Sequence, residues 1–427
     1  MTDGPPRVAG VVVAGVVLRA LIFYYEIDYV LQYRPELTTP LNSLERLQEG
    51  LFLAGAGLDP YAGDVFHQPP LVLLAAMGVQ SMPLHLSSRL VTCLGAILLD
   101  VLIALGFASV CRAFIATQHA QQSENSKVWL NHPPLSPLLQ PRYLPLTVAA
   151  VYLFNPWSLA TSLVRSTSLV TYAAIVWSVA FAMQHRVPLA ICLLAIATYI
   201  AVYPIVLLPA LLLMAYPTKP VLSASWGLAT SFFLLYLGLF VYLSKVVMGG
   251  WGFLDATYLW VVRYPDLTPN IGIFWYFFME LFDRFRNYFL FLLHVHPLLY
   301  VLPVYLRLQC RPLAATGVLL GIFAIFVAYP ALGDFGLFGT SLLLHPRSLI
   351  GMRHTFVLAT GLAVATVLLP VMHYLWLFPG SGNSNFFYNQ TLVFQLFGVK
   401  VVAEFLTATL RRDKQLDEFW KTAKTMG

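Results

Sequence analysis

Long runs of apolar residues, separated by short polar breaks, recur along this chain from its start to its end. A helix needs about 20 consecutive apolar residues to cross the hydrocarbon layer of a bilayer. About twelve such runs are present, at about 8–25, 89–110, 144–161, 166–183, 188–201, 203–216, 221–247, 287–306, 312–329, 332–346, 353–377 and 387–410. The two runs within 188–216 are each short for a full crossing. The pattern predicts an all-α, polytopic membrane protein whose 427 residues form a single integral membrane domain.

The composition excludes several other classes of protein. Hydrophobic residues make up 59% of the chain and charged residues only 10%, against roughly 25% charged in a soluble domain. The formal net charge of +6 does not indicate nucleic-acid binding, because the basic residues form no patch and lie mostly in the breaks between apolar runs. The four cysteines have no close partners in sequence, which predicts free thiols and neither a disulfide framework nor a zinc site.

The basic residues also predict an orientation. Arg7 precedes the first run, and with a cytosolic N-terminus every loop on the same side holds a lysine or an arginine, as the positive-inside rule requires. Both termini are then cytosolic, including a polar tail at about 411–427, an interfacial helix or a disordered end. Residues at about 26–88 and 249–286 face the other side, the lumen of an endomembrane. Within the first segment, the short apolar piece at 71–83 predicts a re-entrant or interfacial helix.

Charged residues beside the predicted spans allow more than one interpretation. Glu26 and Asp28 directly follow the first run. Such carboxylates suit a divalent cation or general-base chemistry, and they equally suit the hydrated end of a span. Arg165 lies between the third and fourth runs, where a guanidinium can bind phosphate or simply extend to the membrane surface. His294 and His296 are two residues apart on a predicted helix and point to different faces, so no metal site is predicted.

Two further segments combine turn residues with aromatic residues. The stretch VRYPDLTPNIGIFWYFFME (262–280) ends in five consecutive aromatic residues, at 274–278. They suit a surface for acyl chains or for the helices of a partner, or an aromatic belt at the membrane interface. The stretch PGSGNSNFFY (379–388) connects two apolar runs. Asn383 and Asn385 in it suit hydrogen bonds to a polar headgroup, and they suit a simple turn equally well.

Over nearly its whole length the chain resembles the PIG-U family, the multispanning subunits of the GPI transamidase complex of the endoplasmic reticulum. The resemblance is densest in GLDPYAGDVFHQPPL (57–71), YLFNPWSLATS (152–162), VYPIVLLPALL (202–212), PDLTPNIGIFWYFFMELF (265–282) and SGNSNFFY (381–388). That family is itself similar to the endoplasmic-reticulum mannosyltransferases that use dolichol-phosphate-mannose. The resemblance therefore implies a glycosyltransferase-C-like membrane scaffold.

The resemblance also implies a role. The chain is expected to be a non-catalytic subunit that scaffolds the transamidase and helps to bind the GPI lipid, beside subunits of the PIG-T, GPAA, PIG-S and PIG-K types and membrane phospholipids. Asn383 and Asn385 would contact the GPI headgroup. Phe274, Trp275 and Phe277 would line the surface for a lipid or a partner. The resemblance implies no catalytic residue, metal or cofactor in this subunit.

One alternative remains, a GPI mannosyltransferase that depends on dolichol-phosphate-mannose. Those enzymes carry an acidic motif, of D-x-D type in some, in the first luminal loop. In this chain the close acidic pair early in that loop is Glu26 and Asp28, with Glu in place of the first Asp, and Glu36 stands apart from it. The alternative predicts that substituting these carboxylates abolishes function, whereas Asn383 and Asn385 tolerate change.

Overall fold

A computed structural model describes residues 8–81, 87–122, 135–221 and 223–425. Within these ranges the regular secondary structure is entirely helical, which confirms the all-α prediction. The α-helices are α1 (Ala9–Tyr24), α2 (Asp28–Leu31), α3 (Leu44–Gly55), α4 (Pro70–Gln80), α5 (Ser88–Gln122), α6 (Leu144–Phe154), α7 (Pro156–Leu163), α8 (Ser168–Met183), α9 (Val187–Ala201), α10 (Leu208–Ala215), α11 (Ala224–Met248), α12 (Trp260–Arg263), α13 (Phe274–Glu280), α14 (Asp283–Val295), α15 (Val301–Leu308), α16 (Pro312–Phe326), α17 (Leu332–Leu342), α18 (Pro346–Ile350), α19 (Thr355–Leu377) and α20 (Ser384–Thr425). Short 3-10 segments at Pro137–Leu139, Tyr203–Leu207 and His296–Tyr300, and a π-helical segment at Asp255–Leu259, complete the set.

Five helical stretches in the described part of the chain are long and apolar enough to cross a membrane. They are Ser88–Gln118, Ala224–Met248, Asp283–Leu308, Thr355–Leu377 and Ser384–Glu418. The other apolar helices have between 10 and 17 residues, which is short for a full crossing on its own. Some predicted runs consist of two shorter helices. For example, Asn155 ends α6 and caps α7, its Oδ1 accepting the N–H of Trp157 at 3.0 Å.

Three helix boundaries refine the predicted elements. Helix α4 covers most of the short apolar piece predicted to be re-entrant or interfacial, and its 11 residues are too few for a crossing. Helix α5 continues beyond the predicted end of its span at 110, to Gln122. The polar tail is helical to Thr425 and continuous with α20, not a separate element. Both extensions lack Gly and Pro and are rich in good helix formers, so nothing in them ends the helix.

Helix α16 lies at the centre of the helical packing. Every residue from Leu313 to Ile325 is buried, and the helix packs against α17 and α20. Gly321 permits this close approach, because a Cβ atom there would lie 2.6 Å from both Phe338 and Val402. Small residues let helix backbones approach closely where the hydrophobic effect gives no drive for association. The sequence of α16 therefore suits a core helix surrounded by other helices.

A buried ion pair connects α1, α5 and α6. The Nε–H of Arg19 donates to Oδ2 of Asp100 at 2.6 Å, and both side chains are almost wholly inaccessible. The hydroxyl of Tyr152 donates to Oδ1 of the same carboxylate at 2.8 Å, and Nη1 of Arg19 donates to the carbonyl of Leu153 at 3.0 Å. Charges within a membrane span are costly unless they are paired. This network pairs them and fixes the three helices relative to one another.

The two predicted luminal segments contact each other. Arg46 on α3 forms an ion pair of 2.8 Å with Asp266 in the second segment. The ring of His67 stacks on Trp260 with 3.7 Å between centroids, and its Nδ1 lies 2.8 Å from the carbonyl oxygen of Ala256. These long-range contacts make the two polar segments one folded unit on the membrane helices.

Candidate functional site

The turn before α13 is organised by the side chain of Asn270. Its Oδ1 accepts the N–H of Gly272 at 2.7 Å, and its Nδ2 donates to the hydroxyl of Tyr264 at 3.2 Å. Gly272 is required by close packing, since a Cβ atom there would lie 2.7 Å from Cδ of Pro330. The Asn-Ile-Gly sequence therefore forms a turn and also fits against the chain that leads into α17. This turn fixes where the aromatic helix begins.

Helix α13 carries the five consecutive aromatic residues. Phe274 and Trp275 are both 0% exposed, and Phe277 is half-buried. Of the three aromatic residues predicted to line a surface for a lipid or a partner, only Phe277 reaches the surface of the isolated chain. Contact of these residues with a lipid or a partner stays a prediction.

Trp275 is the centre of an aromatic cluster that joins α13 to α19 and α20. Its ring lies 5.6 Å from that of Tyr388, 5.9 Å from that of Phe387 and 6.4 Å from that of Trp376, centroid to centroid. The hydroxyl of Tyr388 also donates to the carbonyl of Ile273 at 3.1 Å. The cluster brings together the two sequence segments that were predicted separately, the aromatic run and the SGNSNFFY connection. Packing of Trp275 thus sets the position of the first turn of α20.

Asn383 and Asn385 lie where α19 connects to α20, and both are exposed. The N–H of Gly382 donates to the carbonyl of Leu375 at 3.1 Å and closes the end of α19. The carbonyl of Asn383 accepts the N–H of Phe386 at 3.1 Å, so its backbone takes part in the start of α20. Within the part of the chain that the structure describes, neither amide side chain has a hydrogen-bond partner. Both amides can therefore donate to and accept from a ligand.

Glu26 and Asp28 lie in an ion-pair cluster. The two Nη atoms of Arg89 donate to Oε1 of Glu26 and to Oδ1 of Asp28, each at 2.8 Å. On the other side, Nη2 of Arg165 lies 3.5 Å from Oδ2 of Asp28. Asp28 is 0% exposed. A carboxylate enclosed by two guanidinium groups is not accessible to a substrate, so the arrangement disfavours a role as general base.

Glu36, the third carboxylate of the mannosyltransferase alternative, is buried apart from that cluster. Its Oε1 has no hydrogen-bond partner among the described residues. Burial raises the pKa of this carboxyl group above its ordinary value of 4.5. Its backbone carbonyl accepts the N–H of Leu332 at 2.9 Å, which attaches the loop to α17. The three carboxylates thus do not form an open acidic centre.

His294 and His296, which are two residues apart in the sequence, contact other residues of the fold. Nε2 of His294 lies 3.1 Å from the carbonyl oxygen of Val262, and the hydroxyl of Tyr300 lies 2.9 Å from Nε2 of His296. The described residues contain no group of three His, Cys, Asp or Glu side chains that could hold a metal ion. The four cysteines are free thiols, as predicted.

Sequence reasoning missed Arg89 as the partner of both Glu26 and Asp28. A signal was present, because Arg89 begins the span that follows α1. If consecutive spans are antiparallel neighbours, the residues that end one lie beside those that begin the next. The pairing depends on α1 and α5 being in contact, which the structure shows.

These features define an integral membrane protein built of helices, in which the connection with the two asparagines is exposed and the early carboxylates are paired with arginines or buried. The chain belongs to the PIG-U family, since the family model described as "GPI transamidase subunit PIG-U" matches residues 13–394. It is 31% identical to the GPI-anchor transamidase component PIGU of Cricetulus griseus over 97% of this chain and 96% of that protein. It is 30% identical to the protein of the same name in Homo sapiens, over the same shares. It is 31% identical to the GPI transamidase component GAB1 of Saccharomyces cerevisiae, over 88% of this chain and 87% of that protein.

Proposed function

We propose that this chain is a non-catalytic scaffold subunit of GPI transamidase in the endoplasmic reticulum membrane, and that it binds the GPI headgroup through Asn383 and Asn385. The observation that carries the proposal is that both amides are exposed and lack partners at the start of the 42-residue helix α20, which Asn383 directly precedes. Each amide offers donors and acceptors to sugar hydroxyls. The N-terminus of a long helix favours phosphate, through its free N–H groups and its dipole. A phosphorylated glycan matches both properties.

The aromatic helix supplies the apolar side of the proposed site. Phe277, which is half-buried, contacts acyl chains or a partner helix. Phe274 and Trp275 hold the site in place and do not contact the ligand, since both are buried and Trp275 packs on the ring of Tyr388 near the two asparagines. The aromatic run therefore contributes one surface residue and two supporting residues.

The scaffold role rests on the helical architecture. The proposal includes about twelve crossings with cytosolic termini, in which helices that share a predicted run, such as α6 with α7 and α14 with α15, cross together. A glycosyltransferase-C-like arrangement with a closed acidic centre suits a binding subunit. The partners proposed are subunits of the PIG-T, GPAA, PIG-S and PIG-K types, together with membrane phospholipids.

A complementation experiment tests the headgroup contact. Cells that lack this subunit receive the wild type or the double variant Asn383→Ala, Asn385→Ala, and a GPI-anchored reporter at the cell surface is quantified. We expect attachment to fall about ten-fold, because two hydrogen bonds of about 0.5–1.5 kcal/mol each are lost. Assembly of the complex should not change, since both side chains are exposed. Asn389→Ala, at another exposed position of α20, is the matched control. Equal attachment by the double variant and the control would contradict the proposal.

Lipid analysis separates this function from the mannosyltransferase alternative. Cells without the subunit are labelled with radioactive mannose and inositol. We expect complete GPI that bears ethanolamine phosphate to accumulate, because attachment is the blocked step. Accumulation of a glycan that is short of one mannose would identify the chain as a transferase.

A further inference from the structure

Two cavities adjoin one another between α3, α4, α5 and the turn before α8. The first has a volume of about 310 Å³ and a largely polar lining that includes Tyr29, Gln32 and Glu45. The second has a volume of about 560 Å³ and a mainly apolar lining. The residues that line both are Leu44, Gln48, Ser88 and Arg165. A polar and an apolar compartment with a shared wall match the two halves of a phospholipid.

Arg165, at this shared wall, has unused hydrogen-bonding capacity. Its side chain is 9% exposed, and its Nε has no hydrogen-bond partner among the described residues. The contacts of its Nη atoms are long, at 3.5 Å to Oγ1 of Thr92, 3.4 Å to Oε1 of Gln32 and 3.5 Å to Oδ2 of Asp28. Charge-assisted hydrogen bonds are usually about 2.7–2.9 Å. A buried guanidinium with such weak partners can accept a stronger anionic ligand, and a phosphate matches its planar fork.

The backbone supports the same conclusion. Arg165 has a φ of 54°, a left-handed conformation that is unfavourable for a residue with a side chain. The turn is fixed by neighbouring contacts, including the hydrogen bond from the N–H of Arg165 to the carbonyl of Ser162 at 2.9 Å. The fold thus holds this guanidinium at the wall between the two cavities.

The charges that face the polar cavity are of both signs. Arg89 adds a second guanidinium, whose Nε also lacks a partner. Glu45 adds an exposed carboxylate, whereas Glu26 and Asp28 are already paired with Arg89. A purely anionic headgroup would be repelled by Glu45. A headgroup that carries a phosphate followed by an ammonium group places an opposite charge against both Arg165 and Glu45.

We propose that these two cavities hold one zwitterionic diacyl phospholipid of the phosphatidylethanolamine type. Its phosphate contacts Arg165, its primary ammonium donates to Glu45, and its acyl chains occupy the apolar cavity. The site is built from α3, α4, α5 and the chain around the start of α8, and it shares no residue with the connection between α19 and α20. The lipid fills the gap between the first luminal segment and the spans, so its role is structural and independent of GPI binding.

The test uses the intact transamidase complex, purified through this subunit and reconstituted into phosphatidylcholine vesicles. The probe is a small fraction of phosphatidylethanolamine with a photoactivatable group on one acyl chain. After illumination, mass spectrometry locates the labelled peptides. We expect the label to be concentrated in α3 and in the first turns of α5.

Two variants at different ends of the site make the test specific. Gly95→Phe fills the apolar cavity, because a Cβ atom at Gly95 meets nothing within 4 Å and the residue lines that cavity. It leaves the ion pairs intact, so the complex should still assemble. Arg165→Gln removes the phosphate ligand. Each change is expected to lower labelling of α3 and α5 about ten-fold. Gly238→Phe on α11, where a Cβ atom is equally unobstructed, is the matched control and should keep the label.

Three outcomes would overturn the proposal. The first is labelling of α3 and α5 that survives Gly95→Phe as well as Arg165→Gln. The second is equal competition by unlabelled phosphatidylglycerol, which lacks the ammonium group. The third is competition by a polyprenyl phosphate about ten-fold better than by phosphatidylethanolamine, which would identify a different occupant.

Discussion

The polar residues that follow α1 and the asparagines at the start of α20 both lie at the ends of membrane helices, but their surroundings differ. Asp28 is buried between two arginines and Glu26 is paired with one of them, whereas Asn383 and Asn385 are exposed and have no partner. A carboxylate withdrawn from water must be paired, while an exposed amide stays hydrated until a ligand replaces the water. The carboxylates that the sequence offered as candidates for general-base chemistry are therefore ion-pair partners in the structure. The residues typical of a turn are the ones available to a ligand.

The largest loss of stability is expected for Asp28→Ala, which tests the contrast between these two regions most strongly. The change removes the carboxylate that pairs with Arg89 at 2.8 Å and lies 3.5 Å from Arg165, and removal of one member of a buried ion pair costs about 3–5 kcal/mol. The level of the subunit in cells and the melting temperature of the purified complex should both fall. Normal level and melting temperature with complete loss of GPI-dependent function would instead assign Asp28 a chemical role.

A smaller loss of stability is expected for Gly272→Ala, which tests the region at the start of α20. The added Cβ would lie 2.7 Å from Cδ of Pro330, so the turn before α13 must shift. Overpacking of this kind costs about 1–3 kcal/mol. Because Trp275 links α13 to the first turn of α20, GPI attachment should fall as well. Gly227→Ala, where a Cβ atom has open space, is the control for both measurements.

The substitution Glu36→Gln tests whether this buried carboxyl group makes the stability of the complex depend on pH. Burial raises the pKa of Glu36, so its stabilising contribution is complete below its ordinary value of 4.5 and is lost as the pH rises through the raised value. Glutamine does not ionise, so the variant should be more stable than the wild type at pH values above the raised pKa of Glu36. Melting temperatures of the complex from about pH 4 to pH 8 measure the difference. Loss of GPI attachment in a stable variant would favour the mannosyltransferase alternative.

The smallest effect is expected for Glu26→Ala. This side chain is 62% exposed, and an exposed ion pair contributes about 0.2–1 kcal/mol. Stability and GPI attachment should both stay close to those of the wild type, in contrast to Asp28→Ala. A loss of attachment as large as that of the asparagine double variant would remove the distinction between the two regions.

The sequence by itself determined the class of this protein and the sites of its helices. Apolar runs must be helical in a bilayer, because the backbone finds no water there and its hydrogen bonds must be internal. The described part of each predicted apolar run accordingly contains helix. The same local information located the aromatic run and the asparagine-bearing connection, because Gly, Pro and Asn mark breaks whatever surrounds them.

Only the tertiary structure decided which side chains are buried or paired and which are exposed. Hydropathy does not show that Trp275 faces other helices, because lipid and a helical core are almost equally apolar. It also does not pair Arg19 with Asp100 or Arg165 with Asp28, since each pair joins residues far apart in the chain. Such pairs form only when particular helices become neighbours. Which helices are neighbours depends on packing of the whole domain, and no local stretch of sequence contains that information.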